Sequence, residues 1–284
     1  EKNLIQWDYI INGMKKDTPT EVYKLKGREV LVKRDDLMGD GNTLPPWGKL
    51  AGIDRLLHRY INPKYPLIHL AVNGSWSGWA LSHLCKQRDI KFVYAYPPSK
   101  TYSRFILNKA KENGCDFHEL KPNMMAVLYA QVQSYAKRKD IQMLPYAFDH
   151  VYYRNCMASR ARNVFEEYPF IDHLVISAGS GVTSSGVVKQ FNPGTNLFSN
   201  SNRQAHVITV SNISTIEKKF AEYGMADSSI QVHKTKFQFE DMMKNYEVPF
   251  PCNGTWDRKA WWWLEQNIEK LEGDILFWNI GGNV

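Results

Sequence analysis

The sequence predicts an α/β protein with largely parallel sheets flanked by helices. Short apolar runs of about strand length alternate along the chain with longer stretches in which apolar residues recur at helical spacing. The composition, with 43% hydrophobic and 23% charged residues among 284, excludes a disordered, collagen-like or coiled-coil chain. A chain of this length is expected to form one large domain or two intertwined ones.

The predicted elements follow one another in strand–helix alternation. Apolar runs predict strands at 29–33, 67–72, 91–95, 117–120, 173–178, 206–210 and 274–279. Helical periodicity predicts helices at 50–60, 79–87, 102–113, 124–139, 153–167 and 258–271, with a further helix after the Gly/Ser-rich loop that begins near residue 179. The Asn/Ser-rich stretch 192–203 is expected to be an exposed loop.

Charge and cysteine usage limit the class of protein. The net charge of +7 permits an anionic partner without identifying one. The four cysteines form no CxxC pair, which predicts reduced thiols in a cytoplasmic protein, in the host cytoplasm if the protein is viral. No apolar run approaches the length of a membrane span. The eight histidines lack metal-ligand spacing, so no metal is expected.

A small-residue loop, SAGSGVT at 177–183, lies between an apolar strand and the next predicted helix. Backbone N–H groups in such a loop, together with the helix N-terminus, favour a phosphate. The loop matches neither the Walker pattern nor the GxGxxG fingerprint, and an ordinary tight turn is the alternative.

A second candidate is Lys49, which follows Gly48 at the start of the predicted helix 50–60. A desolvated lysine loses its proton readily and becomes a nucleophile that can form a Schiff base. A solvated surface lysine is the alternative for any single lysine.

A third candidate is the loop 73–80 (NGSWSGWA), another strand-to-helix junction. Its N–H and hydroxyl donors suit a carboxylate, and a plain N-cap serine is the alternative.

In their order and spacing these motifs resemble the fold-type II pyridoxal-phosphate (PLP) enzymes of the tryptophan synthase β-like superfamily. The resemblance is to the branch of 1-aminocyclopropane-1-carboxylate deaminase and D-cysteine desulfhydrase, and it covers residues 18–282. The matching segments are 33–37, 48–49, 77–79, 179–183, 255–260 and 277–282.

The resemblance implies roles for individual residues. Lys49 would form the Schiff base with PLP and move the Cα proton, Ser77 would contact the substrate or assist proton transfer, and Asp257 would keep the pyridine nitrogen protonated. The cofactor-binding residues would be Lys49, Asp257, Gly179, Ser180, Gly181, Val182 and Thr183. The substrate pocket would be formed by Ser75, Trp76, Ser77, Gly78, Trp79 and Trp256. Asp257 as a surface acid is the alternative.

Three departures separate the chain from this branch. Gly78-Trp79 stands where the family has Asn-His, Trp256 replaces a tyrosine, and the last strand ends in WNIGG at 278–282 instead of His-Thr-Gly-Gly. The substrate pocket is therefore expected to differ from that of the deaminase. The resemblance also implies a homodimer and two domains, a discontinuous large one (1–49 and 146–284) and a small one (50–145).

Three functions follow. The first is a PLP-dependent lyase or deaminase that forms an external aldimine with an α-amino acid and breaks a bond at Cα. The second is a PLP-dependent decarboxylase or lyase acting on an amino-acid-modified base in phage DNA, which the nine tryptophans and the basic charge favour. The third is a catalytically degenerate PLP-fold binding protein.

Overall fold

The computed structural model describes residues 12–71, 75–98, 104–191, 203–225 and 228–283. The strands are β1 (Thr20–Leu25), β2 (Arg28–Arg34), β3 (Leu67–Leu70), β4 (Phe92–Tyr96), β5 (Asp116–Glu119), β6 (Gln142–Met143), β7 (His173–Ala178), β8 (Gln204–Thr209), β9 (Ile230–Lys234) and β10 (Ile275–Asn279). The helices are α1 (Leu50–Tyr60), α2 (Ser77–Gln87), α3 (Phe105–Glu112), α4 (Met125–Lys139), α5 (Val151–Glu167), α6 (Val182–Phe191), α7 (Ile213–Glu222) and α8 (Asp257–Asn267). The predicted loop 192–203 lies outside the described residues, apart from its last position.

The chain divides into two compact units. The larger comprises the described residues of 17–38, 46–60 and 145–283, and the smaller those of 12–16, 39–45 and 61–144. This division differs from the predicted boundaries in two places. Helix α1 was expected in the small domain, and the described residues of 12–16 and 39–45 were expected in the large one. Helix α1 belongs to the larger unit because Gly52 packs directly on Tyr153 of α5, where an added Cβ would come within 2.5 Å of the ring.

The larger unit contains a six-stranded sheet in the order β1-β2-β10-β7-β8-β9. All neighbours are parallel except β1 and β2. These two form a hairpin through Lys26 and Gly27, which both have positive φ, at 48° and 81°. Inward-facing residues of β2, β7 and β10 pack against α8, with Val32, Phe277 and Trp261 among the buried side chains. The carboxyl ends of β2, β7 and β10 therefore meet along one edge of this sheet.

The smaller unit contains a four-stranded parallel sheet in the order β5-β4-β3-β6. Its apolar core forms where α4 packs on the sheet, with Ile68 and Val93 from the strands and Leu128 and Val132 from the helix. Across both units, no helix of the described residues is long and apolar enough to cross a bilayer.

Candidate active site

Lys49 is held at the start of α1 by a turn that pairs with the chain following β10. The amide of Gly48 donates a 2.7 Å hydrogen bond to the carbonyl of Ile280. A Cβ at Gly48 would lie 2.6 Å from the Cβ of Asp35, so a larger residue would displace this turn. The contacts fix the Lys49 backbone at the carboxyl edge of the larger sheet.

Asp35, which follows β2, packs against that turn. Its buried carboxylate accepts hydrogen bonds from the hydroxyl of Thr18 at 2.6 Å, a guanidinium nitrogen of Arg160 at 2.7 Å and the indole of Trp278 at 2.8 Å. Buried carboxylates need such partners. These contacts assign Asp35 a structural role, and the described residues contain no group of three His, Cys, Asp or Glu side chains arranged to hold a metal.

Asp257 is the first residue of α8 and is buried. One carboxylate oxygen accepts a 2.6 Å hydrogen bond from the hydroxyl of Ser177, the penultimate residue of β7. The other accepts a 2.9 Å hydrogen bond from the amide of Gly281, which follows β10. The acid is therefore oriented by three elements of the same unit, α8, β7 and the end of β10.

Lys49 and Asp257 interact electrostatically, and burial shifts the pKa of each. Desolvation lowers the pKa of the Lys49 amine to about 8, and the charge of Asp257 opposes this decrease. Desolvation raises the pKa of Asp257 to about 7, while the hydrogen bond from Ser177 acts in the opposite direction. A lysine with this pKa has a substantial neutral, nucleophilic fraction at neutral pH.

The predicted phosphate loop lies between β7 and α6. Gly181 has φ of +83°, a conformation that favours glycine. Helix α6 begins at Val182, and the amides of a first helical turn have no acceptor within their own helix. A Cβ at Gly179 would come within 3.1 Å of the Trp256 indole. Only glycine therefore lets the indole pack this closely on the loop without a side chain between them. The loop has the features of an anion site.

Three helices connect this loop to the Lys49 turn. Thr183 on α6 forms a 2.8 Å hydrogen bond with the hydroxyl of Tyr153 on α5. The Tyr153 ring in turn packs against Gly52 of α1, three residues after Lys49. Tyr153 therefore fixes the spacing between the helix that begins at the lysine and the helix that begins at the phosphate loop.

The donor set of the larger unit fits PLP. An aldehyde requires an amine that is neutral near physiological pH, a phosphate requires backbone N–H groups in an open loop, and a pyridine nitrogen that stays protonated requires a nearby acid. Lys49, the loop 179–183 and Asp257 provide these groups, and Trp256 packs against the same loop. These residues would hold the cofactor.

The predicted substrate loop belongs to the smaller unit, where residues 72–74 lie outside the described residues. Ser75 donates a 2.9 Å hydrogen bond from its hydroxyl to the hydroxyl of Ser77, which lies in the first turn of α2. Trp76 and Ser77 are both buried. Two hydroxyls at a helix N-terminus can bind a carboxylate.

The Gly78-Trp79 departure has a packing explanation. A Cβ at Gly78 would lie 2.2 Å from the ring of Tyr94, so the tyrosine occupies the space that a larger residue would need. Trp79 is completely buried, and its indole donates a 2.9 Å hydrogen bond to the carbonyl of Thr43. Trp79 therefore contributes mainly to the core of the smaller unit.

Three residues that support the candidate site were given no individual role from the sequence. Ser177 and Gly281 bind the Asp257 carboxylate, and Tyr153 binds Thr183. Their positions offered a partial signal, because Ser177 and Gly281 come at the ends of predicted strands, where sites of open α/β sheets lie. Nothing in the local sequence distinguishes Tyr153 from other helical tyrosines.

Known proteins resemble this chain in sequence and in fold. No family model matches the chain. The glycyl-dTMP PLP-dependent decarboxylase of Pseudomonas phage M6 is 30% identical over 278 residues, which span 93% of this chain and 98% of that protein.

Solved structures share the fold at lower identity. A hydrogen sulfide-producing enzyme from Fusobacterium nucleatum matches with a TM-score of 0.70 and 16% identity, covering 96% of this chain and 95% of its own. Cysteine synthase from Entamoeba histolytica matches with a TM-score of 0.71 and 14% identity, covering 98% and 88%.

The predicted α/β fold, fold-type II resemblance and PLP dependence are thereby confirmed. The chain belongs to the family of PLP-dependent enzymes that includes the glycyl-dTMP decarboxylase of Pseudomonas phage M6.

Proposed function

We propose that this enzyme is a PLP-dependent decarboxylase whose substrate is an amino acid joined to a pyrimidine nucleotide, of the class of glycyl-dTMP. The observation that carries the proposal is the 30% identity, over 93% of the chain, to a phage protein named for that reaction. Of the three functions considered from the sequence, this favours the decarboxylase on a modified base over a deaminase or a binding protein.

The reaction breaks the bond between Cα and the carboxylate carbon, releases carbon dioxide and places a proton on Cα. When bound, PLP supplies an electron sink for the pair released from that bond. Asp257 would hold a proton at the ring nitrogen of the cofactor through its ionised carboxylate, which the hydrogen bonds from Ser177 and the Gly281 amide stabilise against the increase in pKa that burial causes. Ser177 keeps this carboxyl group oriented.

Lys49 has two roles in this proposal. Its amine, with a pKa lowered to about 8, binds the cofactor covalently. The same side chain, as an ammonium group, would deliver the proton to Cα after carbon dioxide has left. Both roles need an amine that changes protonation state near neutral pH, and burial provides this.

The paired hydroxyls of Ser75 and Ser77 are proposed to bind the carboxylate of the substrate. Their support is the 2.9 Å hydrogen bond that places them together at the start of α2. For a decarboxylase this interaction must orient the leaving carboxylate without protonating it, and neutral hydroxyl donors meet that requirement.

The test is product analysis by mass spectrometry after incubation of the PLP-loaded protein with glycyl-dTMP. We expect the decarboxylated nucleotide from the wild type and from Lys24→Ala, a control at an exposed lysine of β1. We expect unchanged substrate from Lys49→Ala. Release of ammonia with retention of the carboxylate carbon would identify a deaminase, and no turnover by the wild type would identify a degenerate binding protein.

We also propose a homodimer located in the cytoplasm, that of the host if the protein is viral. Light scattering after size exclusion tests the dimer.

The net charge of +7 further supports a substrate held in DNA as well as the free nucleotide. Modified DNA offered at increasing salt tests this point, because phosphate contacts make turnover of a DNA substrate decrease steeply with salt.

A further inference from the structure

An aromatic segment packs along one face of α8. Residues 235–243, here called the strap, follow β9 and are attached to α8 and the residues before it. Arg258 donates a 2.9 Å hydrogen bond to the carbonyl of Met243. A Cβ at Gly254 would lie 2.3 Å from the carbonyl oxygen of Met242. The backbone of the strap therefore packs directly against the residues that precede α8.

Lys259 attaches the centre of the strap. The side chain is 1% exposed, and its ammonium donates to the carbonyls of Gln238 at 2.5 Å and Phe239 at 3.2 Å. Burying an ammonium group is unfavourable unless hydrogen bonds replace its water. Here the two hydrogen bonds that replace water are made to backbone carbonyls of the strap. Lys259 therefore fixes the position of the Phe239 backbone.

Phe239 extends an aromatic surface to the phosphate loop. Its ring centroid lies 5.2 Å from that of Trp256, with the planes at 68°. The far edge of Trp256 lies 3.1 Å from the position of a Cβ at Gly179. Both rings remain partly exposed. Trp256 also directly precedes Asp257, so this surface begins beside the acid of the site and ends on the strap.

We propose that Phe239 and Trp256 bind the pyrimidine base of the substrate and that Lys259 is the residue that positions Phe239. This inference rests on the proposed nucleotide substrate. Aromatic side chains bind bases by stacking, which tolerates the substituent on the base that carries the amino acid. Trp256 adjoins the loop at Gly179 and directly precedes Asp257, and Phe239 packs on Trp256, so the aromatic surface lies beside the residues that would hold the cofactor.

The strap supplies its own control. Phe237 packs on Trp262, with ring centroids 5.0 Å apart and planes at 84°. This pair has the same residue types as Phe239 and Trp256 and a similar geometry, but it lies further along α8 from Asp257. Phe237→Ala therefore removes an equal aromatic group from the strap without touching the proposed base site.

The experiment measures calorimetric dissociation constants of the PLP-loaded protein for dTMP and for deoxyribose 5-phosphate, which lacks the base. In the wild type dTMP should bind more tightly. Phe239→Ala should weaken dTMP binding by about five-fold to 100-fold, the range expected for loss of one stacking partner. It should leave deoxyribose 5-phosphate binding and the cofactor absorbance unchanged, which also shows that the variant is folded. Phe237→Ala should change both constants by less than about two-fold.

Lys259→Met should weaken dTMP binding in the same direction as Phe239→Ala, and it should raise KM with kcat unchanged. The inference is overturned if the wild type does not prefer dTMP to deoxyribose 5-phosphate, or if Phe239→Ala loses no more affinity than Phe237→Ala. Failure of the proposed function gives a different result. In that case the base-dependent affinity and its dependence on Phe239 persist, and decarboxylation is absent.

Discussion

The hydroxyl of Ser177 donates a 2.6 Å hydrogen bond to the buried carboxylate of Asp257. These residues lie far apart in the sequence, and the parallel order of β7 and β10 beneath α8 brings them together. The bond stabilises the ionised acid and so limits the increase in pKa that desolvation produces. The ionisation of the acid at neutral pH therefore depends on a serine in the adjacent strand.

Replacing Ser177 with alanine should raise the pKa of Asp257 above about 7, because the ionised form loses a hydrogen-bond donor. We expect kcat at neutral pH to fall by about tenfold or more, since hydrogen bonds to charged groups contribute roughly 1.5–3 kcal/mol. The acidic limb of the pH profile of kcat should move to higher pH. Ser82→Ala is the control, because that buried hydroxyl bonds a carbonyl within α2. An unchanged profile in Ser177→Ala would contradict the assignment.

The rate of covalent PLP attachment should increase with pH and level off above the pKa of Lys49. The neutral amine is the reactive form, so the midpoint should lie at about 8, well below that of an exposed lysine. Asp257→Asn should move the midpoint lower, because the carboxylate charge that stabilises the ammonium form is removed. Absorbance after rapid mixing measures both midpoints. A shift to higher pH in Asp257→Asn would show that the two groups do not interact as described.

Tyr153→Phe should weaken PLP binding by about fivefold, because Thr183 loses a hydrogen bond of roughly 1 kcal/mol beside the phosphate loop. Equilibrium dialysis of the variant measures the change. Equal affinity of both proteins for PLP would mean that Thr183 does not contribute to the phosphate site.

Gly52→Ala should destabilise the larger unit. An added Cβ would lie 2.5 Å from the Tyr153 ring, and overpacking of this kind costs about 1–3 kcal/mol. The higher helix propensity of alanine, about 1 kcal/mol, offsets part of the loss. Chemical denaturation measures the free energy of unfolding. The double variant with Tyr153→Ala should show less than the sum of the two single losses, since the clash is then removed.

The sequence predicted the parallel core strands because each is an apolar run bounded by polar residues. It did not predict β1, β6 and β9. Strand β1 (Thr20–Leu25) lies at the sheet edge and is largely polar, and β6 (Gln142–Met143) has two residues. Strand β9 (Ile230–Lys234) is half-exposed at the opposite edge. Edge strands lack the continuous apolar run that identifies buried ones.

The candidate site was predictable only where local motifs carry the chemistry. The Gly48-Lys49 turn and the loop 179–183 precede predicted helices, where a nucleophile or an anion site was one of two open interpretations, and the resemblance to the fold-type II enzymes implied their roles. The partners of Asp257 come from distant segments, so their contacts depend on strand order. The same holds for Tyr94, whose ring explains Gly78 although the two residues lie on different elements.

The most direct test of the central claim is to locate the cofactor on the chain. The PLP-loaded protein is reduced with borohydride and digested, and the peptides are analysed by mass spectrometry. The structure predicts that the pyridoxyl phosphate is attached at Lys49 in the wild type and absent from Lys49→Ala. Attachment at another lysine, or an unmodified Lys49 peptide in protein that decarboxylates glycyl-dTMP, would contradict it.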